Sequence, residues 1–318
     1  MAAMKRVLIT GVSGYIGSRL ALRTTQAGHH VIATARRVTP VLKSALGMEL
    51  TSLDVLDSSI ITRSFDADSI IHCATANDIL SRDFAAGVAL SVNGTRNVLE
   101  MALRNDIRDV QFFSTLQVYG TELEGTITEE TPTNCETPYG LNHLLGEEVC
   151  RFYAKKHGMN IALLRPSNVY GVPDAPTVER STLVPMCFVK TALQGGPITL
   201  LSSGRQKRNF VSTDEVADMC LHLLETPVRG AEVVNAASNW LVSIHELAIE
   251  VALESERRSG TPLEIVVRSS RPESGNEFTI DSRYAALRPG VASSKERMRA
   301  TISYLFDHFA ASAPEFRS

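Results

Sequence analysis

The sequence predicts an α/β protein built on a doubly wound parallel sheet, and three observations carry that expectation. Short apolar runs recur along the first half of the chain, stretches with apolar residues at helical spacing separate them, and glycines gather at the first turn from run to helix.

The runs are RVLIT (6–10), HVIATA (30–35), SIIHCA (69–74), DVQFFS (109–114) and NIALLR (160–165). Each is apolar almost without interruption, as strands covered on both faces must be. Between them YIGSRLALRTTQAG, FAAGVALSVNGTRNVLEMALRND and YGLNHLLGEEVCRFYAKKHG read as helices, so right-handed crossovers would wind both faces of the sheet. After Pro166 the rhythm breaks. SNVYGVPDAPTVERST reads as loop, LVPMCFVKTALQGG as a helix and PITLL as a short strand. The strand and helix in RNFVSTDEVADMCLHLLETP, with the strand EVVNAAS, are expected to return to the sheet.

Composition narrows the partners. With 318 residues, 44% hydrophobic and 21% charged, the chain can bury a large core. A net charge of −3 offers no general attraction to nucleic acid or to an anionic membrane, which leaves a small-molecule partner. Cys73, Cys135, Cys150, Cys187 and Cys220 are odd in number and never spaced as CxxC, so they read as idle thiols of a reducing, cytoplasmic setting. The N-terminal apolar run is too short for a signal or a membrane span. The eight histidines are dispersed, no metal site is expected, and His72 reads as part of a buried strand.

LITGVSGYIGSRL sets Gly11, Gly14 and Gly17 between the first strand and the first helix, with Ser13, Tyr15 and Ile16 among them. Glycine lets the backbone turn sharply and approach a pyrophosphate, while the helix start offers free N–H groups. The turn therefore reads as the phosphate cradle of a Rossmann-type dinucleotide-binding domain. That domain is expected over 1–167 plus about 209–241, with 168–208 and 242–318 forming a smaller, discontinuous C-terminal substrate-binding lobe. A site for NAD would place Asp or Glu at the end of the second strand. Counting 24 positions from Gly11 reaches Ala35, followed by Arg36 and Arg37, whose guanidinium groups suit a 2′-phosphate and favour NADP over NAD. Asp54, in LDVLD, is placed either to reach an adenine or to cap a helix.

These motifs resemble the extended short-chain dehydrogenase/reductase superfamily, and within it the nucleotide-sugar epimerase/dehydratase group. TGVSGYIG, IIHCAT, VNGTRNVLEMA, STLQVYG, PYGLNHLLGE and LRPSNVYG follow its patterns in order from residue 5 to about 240. The resemblance implies cofactor contacts at the glycine loop, Arg36, Arg37, Asp54, Val55, Cys73, Ala74, Thr75 and Asn93, then at Ser114, Tyr139, His143, Arg165, Pro166 and Asn168. It implies substrate contacts at Thr75, Thr115, Gln117, Asn168, Arg208 and Arg271, and a sugar pocket built from DAPTVERSTLVP. Tyr139 would exchange a proton with the substrate oxygen, Thr115 would hydrogen-bond that oxygen, and Tyr119 would belong to a structural turn.

One position departs from the pattern. The superfamily's Tyr-x-x-x-Lys helix carries His143 in place of lysine, four residues after Tyr139 and so on the same helix face. Three roles are open for it: a substitute that holds the nicotinamide ribose and, when protonated, lowers the tyrosine pKa; a mark of altered redox chemistry; or a mark of lost catalysis. The first is the expectation, because Thr115, Tyr139 and the glycine loop persist, and it implies an acid-shifted pH–rate profile. Leu116 and Gln117 stand where dehydratases of the group carry acidic residues. The expected activity is NADP(H)-dependent reduction of a keto group on a nucleotide-activated sugar by a homodimer. Alternatives are an epimerase with tightly held cofactor, a reductase of a small non-nucleotide carbonyl compound, and a dinucleotide-binding protein without turnover.

Overall fold

The structure of the chain, a computed structural model, describes residues 3–174, 183–268, 277–287 and 291–311. Five strands and four helices open the described chain: β1 (Arg6–Thr10), α1 (Tyr15–Gln26), β2 (His30–Ala35), α2 (Pro40–Leu46), β3 (Leu50–Ser52), β4 (Ser69–His72), α3 (Phe84–Val88), α4 (Thr95–Arg104) and β5 (Asp109–Phe113). There follow β6 (Gly125–Ile127), α5 (Pro138–His157), β7 (Asn160–Pro166), β8 (Asn168–Tyr170), α6 (Val184–Leu193), β9 (Ile198–Leu200), β10 (Lys207–Ser212), α7 (Thr213–Glu225) and β11 (Ala231–Ala236). The described chain closes with β12 (Leu241–Ser243), α8 (Ile244–Ser259), β13 (Ile265–Val267), β14 (Phe278–Ile280) and α9 (Val291–Ala311).

The apolar runs assemble as their composition requires. A seven-stranded sheet has the order β11-β7-β5-β4-β1-β2-β3, and every pair in it is parallel. Leu8 and Ile9 of β1, Ile70 and Ile71 of β4 and Phe112 of β5 are fully out of solvent. Helices α1 and α7 cover one face, around Leu20, Ala21, Val216 and Cys220, and α4 and α5 cover the other, around Val98, Leu99, Cys150 and Tyr153. From β1 the strand order runs outward one way through β2 and β3 and the other way through β4, so a crevice opens past the carboxyl ends of β1 and β4.

One expectation is refined and one needs correction. The stretch 84–104 is helical throughout, with α3 and α4 joined without a break by a π-helical turn, Ala89–Gly94. At Gly94 an added Cβ would lie 3.0 Å from the Val55 side chain, so this turn is pressed against the segment after β3. The strand in RNFVS does not join the large sheet. As β10 it pairs with β8 and β12 in a separate three-stranded sheet, while only α7 and β11 return to the main body. The run KRNFVS opens with three polar residues, and such a strand suits a sheet with one wet side better than a doubly covered interior.

The rest of the lobe is α6, α8 and α9 packed around Phe188, Trp240, Leu247 and Leu305, with β9 paired to β13. Strand β14 pairs with β6 and brings Phe278 to the mouth between lobe and sheet.

Candidate active site

The glycine loop leaves β1 at Thr10 and turns through Gly11 at φ +75°, a conformation that disfavours any residue with a Cβ. Space forbids one as well. A Cβ on Gly11 would lie 2.9 Å from the Ala74 amide, and a Cβ on Gly17 would collide with the Gly11 carbonyl oxygen. The Val12 amide donates to Thr34 O at 3.1 Å and the Gly14 amide to Gly11 O at 2.9 Å, which fixes the turn beside β2. Helix α1 then begins with no side-chain cap, so its first N–H groups and its positive dipole end face the exposed Ser13–Gly14 tip. A loop that excludes side chains and presents uncapped amides fits a pyrophosphate.

Around this cradle stand the other expected cofactor residues. Cys73, Ala74 and Thr75 follow β4 alongside Gly11 and are half-buried. Arg36 and Arg37 are exposed immediately after β2, whose Thr34 is bonded to the loop. The carboxylate of Asp54 accepts from the Leu56 amide at 3.0 Å, Val55 is buried, and Asn93 is exposed on the π-helical turn. The Tyr15 side chain points elsewhere. Its ring lies in the lobe core and its hydroxyl donates to Gly171 O at 2.9 Å, so only its backbone is available to the cradle. Ile16 packs its side chain against the cores on both sides.

The reactive centre is held by the start of α5. Thr137 caps that helix, accepting from the Gly140 amide at 3.0 Å and donating to Gln117 Oε1 at 3.3 Å. Thr115, buried at the end of β5, accepts from the Gln117 amide at 3.3 Å. Tyr139 is half-buried, and its ring meets His143 edge-on with centroids 4.6 Å apart.

His143 corrects an expectation. Its ring is 2% exposed; Nδ1 lies 3.2 Å from Phe113 O and Nε2 lies 3.0 Å from Ala76 O. Burial lowers its pKa to about 4, against the opposing pull of the Ala76 carbonyl, Glu147 and the Phe113 carbonyl. At neutral pH it is an uncharged imidazole and not a cation beside Tyr139.

The side chains of Ser114 and Arg165 turn to a shared carboxylate. The Ser114 hydroxyl donates to Glu147 Oε1 at 2.6 Å, and Arg165 grips the same carboxylate through Nε at 2.8 Å and Nη2 at 2.6 Å. The Arg165 guanidinium also lies over the Tyr119 ring, 4.6 Å from its centroid. Both side chains are thus spent inside the protein, because the buried Glu147 needs every donor that reaches it. Tyr119 donates to Asn235 Oδ1 at 2.9 Å, a structural bond.

A cavity of about 480 Å³ opens between sheet and lobe, lined by Thr115, Gln117, Pro166, Asn168 and Arg208 among the expected residues. Asn168 is fixed there by donating to Asn209 O at 2.9 Å, and Arg208 is exposed with no ion pair among the described residues. Thr121, Glu122, Lys207 and Phe278 also line it. They sit on loops and short strands without periodicity, so the sequence carries no signal for them. Arg271 lies outside the described residues, as do positions 175–182 of the expected sugar pocket. Among the described residues no cluster of three or more His, Cys, Asp or Glu is arranged to hold a metal ion, and no helix is long and apolar enough to cross a membrane.

Residues 7–237 match the NAD dependent epimerase/dehydratase family. The chain belongs to that family. Its members are NAD(P)-dependent enzymes of the extended short-chain dehydrogenase/reductase type that act on nucleotide sugars. A dTDP-4-dehydro-6-deoxy-D-allose reductase of a Streptomyces species is 28% identical over 296 residues, covering 88% of this chain and 89% of the relative. A UDP-glucose 4-epimerase of Azospirillum brasilense is 27% identical over 303 residues, covering 85% and 86%. The UDP-glucuronic acid 4-epimerase of Bacillus cereus, solved with UDP-glucuronic acid and NAD, superposes with a TM-score of 0.77 at 24% identity, covering 94% of this chain and 98% of that one. That last likeness bears on fold alone: the parallel sheet and its lobe are those of the epimerase/dehydratase enzymes.

Proposed function

We propose that this epimerase/dehydratase-family protein is an NADP(H)-dependent reductase of a keto group on a nucleotide-activated sugar. The observation that carries the cofactor choice is the exposed Arg36–Arg37 pair, which follows the strand tied to the phosphate cradle and has no carboxylate in the position that would bind a free 2′-hydroxyl. Two planar, permanently charged forks suit a 2′-phosphate. Bound NADPH supplies a hydride to the carbonyl carbon. Thr115 hydrogen-bonds the carbonyl oxygen and Tyr139 gives it a proton, regaining its own from solvent. Gln117, its amide oriented by Thr137, holds the sugar, and Asn168 and Arg208 hold the diphosphate at the other end of the cavity. Glu147, Ser114 and Arg165 keep the β5 end and α5 in register. With Leu116 and Gln117 after Thr115, the site lacks the acidic pair a dehydratase would use.

Internal epimerisation with a retained cofactor is the second reading, favoured by the epimerase relatives. The same proposal includes a homodimer, since α5 exposes Leu141 and Phe152 on one face and α3 exposes Phe84 beside it. The deciding experiment is single-turnover consumption of NADPH, with NADH in parallel, on nucleotide-linked 4-keto sugars. Loss of NADPH with one of them, abolished in Tyr139→Phe, supports net reduction. Binding of both cofactors without consumption, with isomerised sugar as product, supports the second reading.

A further inference from the structure

The residue one turn after Tyr139 sits where two strands of the sheet part company. Strands β4 and β5 are paired as far as His72 and Phe112, and past that point one chain leads through Thr75 to Ala76 and the other through Phe113 to Thr115. The His143 ring bridges the gap, with Nδ1 at 3.2 Å from the Phe113 carbonyl and Nε2 at 3.0 Å from the Ala76 carbonyl. A neutral imidazole carries a single N–H, so it donates to one of these carbonyls and its other nitrogen only abuts the second. Its carbon edge carries the Tyr139 ring, 4.6 Å between centroids and 72° between planes. So the group that packs the acid also fills the gap between the two backbone segments and is tied to one of them, while 2% exposure leaves it no face toward the cleft.

We infer that His143 is a positioning residue: it wedges between the backbone carbonyls of Ala76 and Phe113, donating to one of them, seats the Tyr139 ring between the segments bearing Thr75 and Thr115, and makes no contact with the cofactor ribose. A lysine ammonium on a flexible stem could not do this, because it lacks the rigid, flat body that fills the gap and carries the Tyr139 ring. The inference rests on Tyr139 as the acid, and it makes the exchange at position 143 a change of role. The ribose must then be held by other groups of the cleft.

The test uses the full-length protein with His143→Ala and His143→Gln, measuring NADPH affinity by fluorescence titration and kcat and KM with a keto sugar that the wild type reduces. Misplacing a reacting group by about 1 Å costs roughly a hundredfold, so kcat should fall by about that in the alanine variant and by less in the glutamine variant, whose amide can still donate to one carbonyl. NADPH affinity should stay within about threefold of wild type, whereas loss of a ribose ligand would weaken it about tenfold or more. That weakening, with kcat unchanged at saturating cofactor, overturns the inference, and so does a variant unchanged in both quantities. If the alanine variant does not fold, nitrogen NMR of the wild-type imidazole decides the ribose part: unchanged ring-nitrogen signals on adding NADP+ are expected, and a new hydrogen bond to either nitrogen overturns it. Should the wild type reduce no keto sugar, the proposed function fails by itself, while the affinity arm, the imidazole signals and the Tyr139 ring signals of His143→Gln still read the inference; unmoved Tyr139 signals in that variant would sink the seating role.

Discussion

Arg165 faces Glu147 side by side, Nε to Oε1 at 2.8 Å and Nη2 to Oε2 at 2.6 Å, with both side chains almost wholly out of solvent. Burial raises the carboxyl pKa, but hydrogen bonds from Arg165 and Ser114 outweigh it and hold Glu147 below the usual carboxylate range. The pair links β7 to α5, and Arg151 adds a third cationic contact at 3.0 Å. Removing one partner strands the other charge. Arg165→Met is expected to cost about 3–5 kcal/mol of stability, and the double variant Glu147→Leu/Arg165→Met clearly less than the sum of the two single changes. Denaturant unfolding of the three proteins checks this, and strict additivity would refute it.

His143 and His72 give the protein a defined acid sensitivity. Burial lowers their pKa values to about 4 and about 3, in spite of the carbonyls beside His143, while the His72 ring lies between the hydroxyls of Thr10 and Thr95. The unfolded chain takes up these protons near pH 6.5, so below that pH it binds protons the native state refuses. Stability should therefore be highest above pH 6.5 and fall as the pH drops toward 4 and then 3, by a few kcal/mol. His143→Gln should flatten the part of that loss between pH 6.5 and 4. An unfolding midpoint that falls equally in both proteins between pH 7.5 and 4.5 would contradict it. The same depression predicts a rate profile without an acid shift from His143, which a pH–kcat series on wild type and His143→Gln checks.

Turnover should separate the two hydroxyl groups of the centre. Tyr139→Phe removes the proton donor and is expected to lower kcat by about 10²–10⁴-fold, with NADPH binding retained. Thr115→Val removes one hydrogen bond to the substrate oxygen and also the bond to the Gln117 amide, so a loss of about 10²-fold with a raised sugar KM is expected. Steady-state kinetics and a cofactor titration on each variant distinguish them.

The main sheet, the glycine cradle and the Tyr139 helix were legible because each is written locally: continuous apolar runs, a glycine spacing, a Thr-Pro helix start. What the sequence hides is pairing at a distance. Nothing local says that Arg165 would be taken by Glu147, that the Tyr15 ring would turn into the lobe, or that Ala76 and Phe113 would offer their carbonyls to His143. β10 was misplaced for the same reason, since its partners β8 and β12 lie some forty and thirty positions away in the chain. Short strands such as β6 and β14, with three residues each, have too little periodicity to be read at all.

Helix α5 lies so close to the sheet at Gly146 that a Cβ there would come within 2.6 Å of the Phe112 ring and 2.9 Å of Ser91 O. Neither neighbour can yield cheaply, since Phe112 is fully buried and the other is backbone. Gly146→Ala gains helix propensity of about 1 kcal/mol but overpacks the interface, for a net loss of about 1–2 kcal/mol. Thermal unfolding should show it, and a stabilised variant would mean that α5 stands further from the sheet.

The cofactor choice turns on Arg36 and Arg37, exposed past β2 with their guanidinium groups in solvent. Hydrogen bonds from a charged group are worth about 1.5–3 kcal/mol, so each arginine that grips the 2′-phosphate accounts for about tenfold to hundredfold in NADPH affinity. Arg36→Ala/Arg37→Ala should lose that factor for NADPH and leave NADH nearly unchanged, because NADH lacks the phosphate the forks would hold. High salt should erode the wild-type preference in the same direction, since exposed charges are screened. Titrating both cofactors into wild type and double variant at low and high salt gives the comparison. Equal losses for the two cofactors would assign the arginines to the shared adenosine or diphosphate and return the protein to the NAD users, where internal epimerisation becomes the better reading.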